Sequence, residues 1–147
     1  MSAAFRYAEK YGIETEAAYP YTGKDGNCKY IEGKGIVLAK TYSNVPANSP
    51  DQLKAAIREG PTSVSVEADR AVFQSYKSGV VNSSRCGTNL DHGVLAVGYG
   101  TENGQEYYLV KNSWGAGWGL DGYIKIGVTS GAGVCGIQLD SSYPETD

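Results

Sequence analysis

Residues 93–113 read GVLAVGYGTENGQEYYLVKNS, two runs rich in Val, Leu and Tyr separated by Thr-Glu-Asn-Gly. Strand-forming residues on both sides of a turn tetrapeptide predict an antiparallel hairpin. Just before it stands Asp91-His92, which holds the only histidine of the chain, and at its far end stands Asn112. A turn centred on Glu102 sets Gly100 opposite Gly104 and His92 opposite Asn112. A type I′ turn with Asn103-Gly104 at its centre moves Asn112 three residues away, and the Asn-Gly pair favours that register locally. Both registers are open at this point. In the first, the Asn112 carboxamide oxygen accepts from one imidazole nitrogen, fixes the ring and leaves the other nitrogen to take a proton. Taken singly the residues have plainer readings: a hydrogen-bonded structural histidine, a turn aspartate and a core Trp114.

Working outward, the second half of the chain is strand-like. The Gly/Trp-rich loop WGAGWGLDG is followed by a strand, YIKI (123–126), and a last short strand is expected around VCGIQL (134–139). Upstream, SVSVEA (63–68) alternates as a half-buried strand does, and RAVFQSYKSG holds a short helical turn. Ser49-Pro50 followed by DQLKAAIREG has an N-cap, proline at the first position, acid early, Arg58 late and Gly60 beyond, which together predict a helix. GIVLAKTYSNV (35–45) reads as a strand, YPYTGKDGNC (19–28) as turns, and AAFRYAEKY (3–11) as a helix stopped by Gly12. The pattern is α+β, a small antiparallel sheet or half-barrel preceded by two helices.

The formal charge of −3 and pI near 5.2 provide no basic field for nucleic acid, and no run approaches the 18 apolar residues of a membrane helix. Twenty glycines and twelve tyrosines fit a turn-rich β body. Three cysteines, Cys28, Cys86 and Cys135, allow at most one internal disulfide, and with one distant histidine they match no metal spacing. No metal or cofactor is expected.

Together, LDHGVLAVGYG and YYLVKNSWGAGWGLDGYIKI resemble the second half of a papain-like cysteine protease of the cathepsin L kind. AFRYAEKYGIETEAAYPYTGKDGNC, GPTSVSVEA and VCGIQLDSSYP resemble further blocks of that family, in the same order, so the likeness covers almost the whole chain. It implies a papain-like α+β fold, with 1–45 as a remnant of the helical domain plus crossover and 46–147 as the β-rich domain. His92 becomes the general base and Asn112 the residue that holds its ring. Trp114 covers their hydrogen bond from water, and Asp91 is a nearby charge of smaller effect. Met1, Ser65, Leu90, Gly93 and Asp140 would line the subsite for the second residue before the scissile bond. There, the Asp140 carboxylate would admit Arg or Lys beside apolar side chains. Cys86 and Cys135 match the family's disulfide in the β-rich domain. It would close a loop of about 50 residues and contribute roughly 4 kcal/mol in the chain-entropy picture.

One departure matters. The cysteines read GNCKY, SRCGT and GVCGI, and none opens a helix as the family's nucleophile does. The nucleophilic Cys, the oxyanion Gln and the partner that would pair with Cys28 all belong to a segment upstream in the family. Expected partners are therefore that N-terminal protease segment, peptide or protein substrates, and propeptide or cystatin-like inhibitors, with no nucleic acid or membrane. The resemblance and its disulfide imply a lysosomal or secreted protein, and Asn82-Ser83-Ser84 is an N-glycosylation sequon. The chain alone is expected to be inactive. The alternative function is an inactive protease-fold protein used for binding or structure.

Overall fold

The computed structural model describes residues 1–145. The chain divides into two compact units, Asn44–Tyr143 and the remainder, which comprises Met1–Ser43 and the C-terminal residues from Pro144.

The smaller unit opens with helix α1 (Ser2–Tyr11), which ends where the Gly12 N–H caps the Ala8 carbonyl at positive φ. The predicted stop is therefore observed. Ala8 is the only buried residue of α1, and the helix rests largely on aromatic contacts. Phe5 stacks on Tyr42 at 5.6 Å, and the rings of Tyr7, Tyr11 and Tyr30 pack on one another. The strand expected over 35–45 is shorter than its apolar run suggests, because only Thr41–Val45 (β1) is regular. Upstream of it, Ile36, Val37 and Leu38 are exposed, and a single bridge from Val37 to Ile13 is the only ladder contact there. An apolar run with no neighbouring strand over its length cannot satisfy its backbone as a sheet.

The larger unit begins with α2 (Pro50–Glu59). Ser49 Oγ accepts from the Gln52 N–H, Pro50 occupies the first turn, and Leu53, Ala56 and Ile57 form the buried stripe. The other elements are β2 (Thr62–Val66), α3 (Ala71–Gln74), β3 (Val80–Val81), β4 (His92–Glu102), β5 (Gln105–Lys111), β6 (Tyr123–Gly127) and β7 (Ser141–Glu145). The strands run in the order β1-β7-β2-β4-β5-β6-β3, and β1 and β7 each carry residues of both units. The ladders of β2, β4, β5 and β6 are antiparallel, while the two-residue β3 lies parallel to β6 and had no sequence signal. Leu53, Val64, Val66, Phe73, Tyr108, Val110, Ile124, Ile126 and Ile137 are almost wholly buried. Each aliphatic side chain among them contributes about 1.5–3 kcal/mol of burial free energy.

The strand expected at 134–139 is not formed. Val134–Gly136 is a 3₁₀ turn in which Cys135 has φ 57° and glycines 133 and 136 are also left-handed. Three twists of that hand within four residues exclude extended backbone. The run is apolar because it is buried beside the Cys86–Cys135 disulfide, which forms as expected.

Candidate active site

The hairpin adopts the Asn-Gly register and then departs from it. Asn103 and Gly104 have φ of 50° and 79°, as a type I′ turn requires, and Glu102 pairs with Gln105. The ladder runs regularly as far as Gly98 opposite Leu109. A β-bulge then leaves Val97 unpaired, and the register resumes with Ala96 opposite Val110 and Leu95 opposite Lys111. Without the bulge, position 92 would project three residues beyond Asn112, an odd offset, and the two side chains would lie on opposite faces. The extra residue makes the offset two and turns both to one face. The register with His92 directly opposite Asn112 is therefore not the one adopted, but the side chains meet.

His92 Nε2 lies 2.8 Å from Asn112 Oδ1. The same oxygen accepts the Ser113 N–H at 2.8 Å. A backbone N–H can only donate, so this atom of the carboxamide is the oxygen, and Nε2 must carry the proton it shares. Nδ1 is then the nitrogen free to accept a proton. Asn112 itself is 7 % exposed, and its N–H donates to the Gly122 carbonyl at 2.9 Å, which anchors it where β5 has ended. Its Nδ2 is buried and has no hydrogen-bond partner among the described residues.

Trp114 stacks on the imidazole at 5.1 Å between centroids and 27° between planes, although the indole is 42 % exposed. Two aromatic residues that the sequence did not single out support it. Phe73, fully buried on α3, meets Trp114 edge-on at 5.6 Å and His92 at 6.3 Å. Trp118 packs against both Phe73 and Trp114 and donates from Nε1 to the Gln74 carbonyl. The WGAGWG repeat was the available signal for Trp118. Phe73 lay unmarked in a short amphipathic turn.

Asp91 is tied to the backbone, its Oδ1 accepting from the Ala68 N–H at 2.7 Å and its Oδ2 from the Asp69 N–H at 3.2 Å. A shallow cavity of about 210 Å³ opens beside the imidazole, lined by Ala68, Asp69, Gln74, Asp91, His92 and Trp114. Of the expected subsite, Ser65 and Asp140 are joined by a hydrogen bond from Ser65 Oγ to Asp140 Oδ2 at 2.8 Å, and Gly93 is the ladder partner of Ser65. Leu90 is exposed and lies close above Gly136. Met1 is the N-cap residue of α1 in the smaller unit. Cys28, in the smaller unit, is exposed and free, and Asn82 Nδ2 donates to Gln105 Oε1. Among the described residues, no group of three or more His, Cys, Asp or Glu side chains converges on a metal-sized site.

The family model of the papain family cysteine proteases matches residues 1–145. The chain belongs to the papain family. Among curated relatives, cysteine proteinase RD21A of Arabidopsis thaliana is 46 % identical over 98 % of this chain, and cysteine proteinase COT44 of Brassica napus is 44 % identical over the same share. The chain spans 32 % and 45 % of the lengths of these two proteins. Among solved structures, the bromelain protease from Ananas comosus in complex with the E64 inhibitor superimposes with a TM-score of 0.89 at 41 % identity. That match covers 99 % of this chain and 69 % of bromelain. The proform of Amb a 11, a ragweed pollen cysteine protease, superimposes with a TM-score of 0.93 at 37 % identity, over 100 % of this chain and 46 % of that one. The α+β fold read from the sequence is thus the papain-like fold.

Proposed function

We propose that this chain supplies the base and its orienting amide to a cysteine endopeptidase whose nucleophilic thiol lies outside residues 1–147. The supporting observation is the Nε2–Oδ1 bond at 2.8 Å, which commits one imidazole nitrogen and leaves Nδ1 to receive a thiol proton. In that role Nδ1 takes the proton as sulfur attacks the peptide carbonyl. The C–N bond then breaks, the imidazolium returns the proton to the departing amine, and water hydrolyses the thioester left on sulfur. Asn112 keeps the ring in plane through both transfers, and Trp114 shelters the bond that does so. Asp91, the residue before His92, ties this end of the strand to the Ala68 and Asp69 amides.

None of the three cysteines present fits the nucleophile. Cys86 and Cys135 are consumed in the disulfide, and Cys28 stands in an irregular stretch that opens no helix. In this reading residues 1–45 are the remnant of the helical domain and 46–147 the β-rich domain. Met1, Ser65, Leu90, Gly93 and Asp140 contribute to the subsite for the second residue before the cleaved bond. Partners are peptide or protein substrates, the upstream protease segment, a propeptide, and cystatin-like inhibitors. The disulfide supports passage through an oxidising compartment and hence a lysosomal or secreted location. Asn82 would be glycosylated on that route.

Labelling with a thiol-directed epoxide, followed by peptide mapping, tests the reading. In the protease that carries this chain, the adduct is expected on a cysteine outside residues 1–147, and His92→Ala should abolish it. The isolated chain should give neither that adduct nor hydrolysis of a peptide reporter. Adduct confined to Cys28, or none in the larger protein, would instead favour an inactive protein that uses the fold for binding.

A further inference from the structure

Among the described residues, Glu67 is the only charged side chain that is buried, with 1 % of its surface exposed. A carboxylate taken out of water is costly unless its oxygens are paired, and for stability alone an apolar residue of similar volume would do as well. The pairing of this one is directed at a specific segment. One carboxylate oxygen, Oε2, accepts the Asn89 backbone N–H, and Oε1 accepts from Arg70 Nε at 2.5 Å. Gly87 sits against the same group at φ 74°, where a Cβ would fall on the carboxylate.

Position 67 is also held from below. Its N–H donates to the Cys135 carbonyl at 2.9 Å, and its own carbonyl lies 3.6 Å from Cys86 Sγ, so both ends of the disulfide brace it. Two residues beyond Asn89, Asp91 returns the connection through its bonds to the Ala68 and Asp69 amides, while the Asp91 N–H donates to the Val66 carbonyl at 3.0 Å. Hydrogen bonds therefore run in both directions between 66–69 and 89–91, and the next residue is His92, the ladder partner of Val66.

We propose that Glu67 is a positioning residue for His92, its carboxylate anchoring residues 87–89 so that the imidazole enters the site at a fixed angle. This rests on the reading of His92 as the base. Asn112 fixes the ring from its outer nitrogen, and Glu67 fixes the backbone that carries it. The charged groups facing Glu67 are Arg70 and Asp69, and Asp91 in turn acts on Arg70. The Asn89 N–H, aided by Arg70 and opposed by burial, holds the Glu67 carboxyl below the usual glutamate range, so the anchor persists in mild acid.

Glu67→Gln in the protease that carries this chain is the test. A carboxamide has one acceptor oxygen for the two donors, so one bond is lost with almost no change of shape. The expected result is a fall in kcat of about five- to tenfold with KM within about twofold, the scale of one ordinary intramolecular hydrogen bond. The deficit should hold from neutral pH down through the ordinary glutamate range and close only in stronger acid, where the wild type protonates the same oxygen pair. Should the variant not fold, the unsubstituted protein serves. Its Asn89 amide signal and its His92 Nε2–H signal, assigned by loss in His92→Ala, should titrate together. If the wild type has no peptidase activity, the assignment of His92 as base fails, and these two signals still decide whether Glu67 sets the ring. Unchanged kcat in Glu67→Gln, or a His92 signal indifferent to the protonation of Glu67 that the Asn89 amide reports, would overturn the proposal.

Discussion

Asn112 holds the imidazole of His92 although the two residues are not ladder partners, since the bulge at Val97 sets them two positions apart on one face of the sheet. Asn112→Ala removes the acceptor of the Nε2 proton and strands the Ser113 N–H. A hydrogen bond to a group that becomes charged is worth about 1.5–3 kcal/mol, so kcat of the complete protease should fall by about ten- to a hundredfold. Steady-state kinetics on a peptide reporter reads this directly. A variant within twofold of wild type would show that the ring is held by something else.

Deleting Val97 should be far more damaging than replacing it. Val97→Ala keeps the extra residue and is expected to retain activity within severalfold. The deletion restores the regular ladder and carries His92 to the opposite face, leaving no thiol labelling by the epoxide. Circular dichroism on both variants separates this outcome from simple unfolding.

The Ser65–Asp140 hydrogen bond leaves a carboxylate held at a defined position. If Asp140 forms part of the subsite floor, Asp140→Ala should lower cleavage of an Arg-Arg reporter by about tenfold relative to a Phe-Arg reporter, the scale of one lost charge pairing. Equal loss on both reporters would remove Asp140 from specificity.

Cys86 and Cys135 are separated by 49 residues. The double substitution to Ser should destabilise the protein by roughly 4 kcal/mol in the chain-entropy picture, seen as a lower urea midpoint with activity retained below it.

Burial raises the Tyr108 phenol well above its ordinary value, and its O–H donates to Gln138 Oε1 at 3.1 Å. The phenol therefore stays neutral in the folded protein while the unfolded chain ionises near pH 10. Stability is fully present below that pH and falls as pH rises toward the folded-state value. Tyr108→Phe should flatten the alkaline limb of the stability curve, at the expense of one hydrogen bond at neutral pH. An unchanged limb would assign it to other groups.

Much of this was legible in the sequence. Ser49, Pro50 and Gly60 mark α2, and Asn103-Gly104 fixes the turn of the hairpin, because each acts through its own backbone. The bulge was not legible, since Val97 is an ordinary strand residue and only the pairing on both sides isolates it. Glu67 was hidden by the alternation in SVSVEA. Period two places it outward with Ser63 and Ser65, but β2 ends at Val66 and the chain turns inward. The VCGIQL run misled in the opposite sense, as residues packed around a disulfide are apolar without being extended. Val80–Val81 is too short for any periodicity to mark.

The covalent link from Cys86 to Cys135 encloses both His92 and Asn112 in one ring of backbone. A single cut anywhere inside that ring leaves both residues attached to the same molecule. A nick there by any peptidase would leave the pair on one molecule, where an open chain would be severed between them.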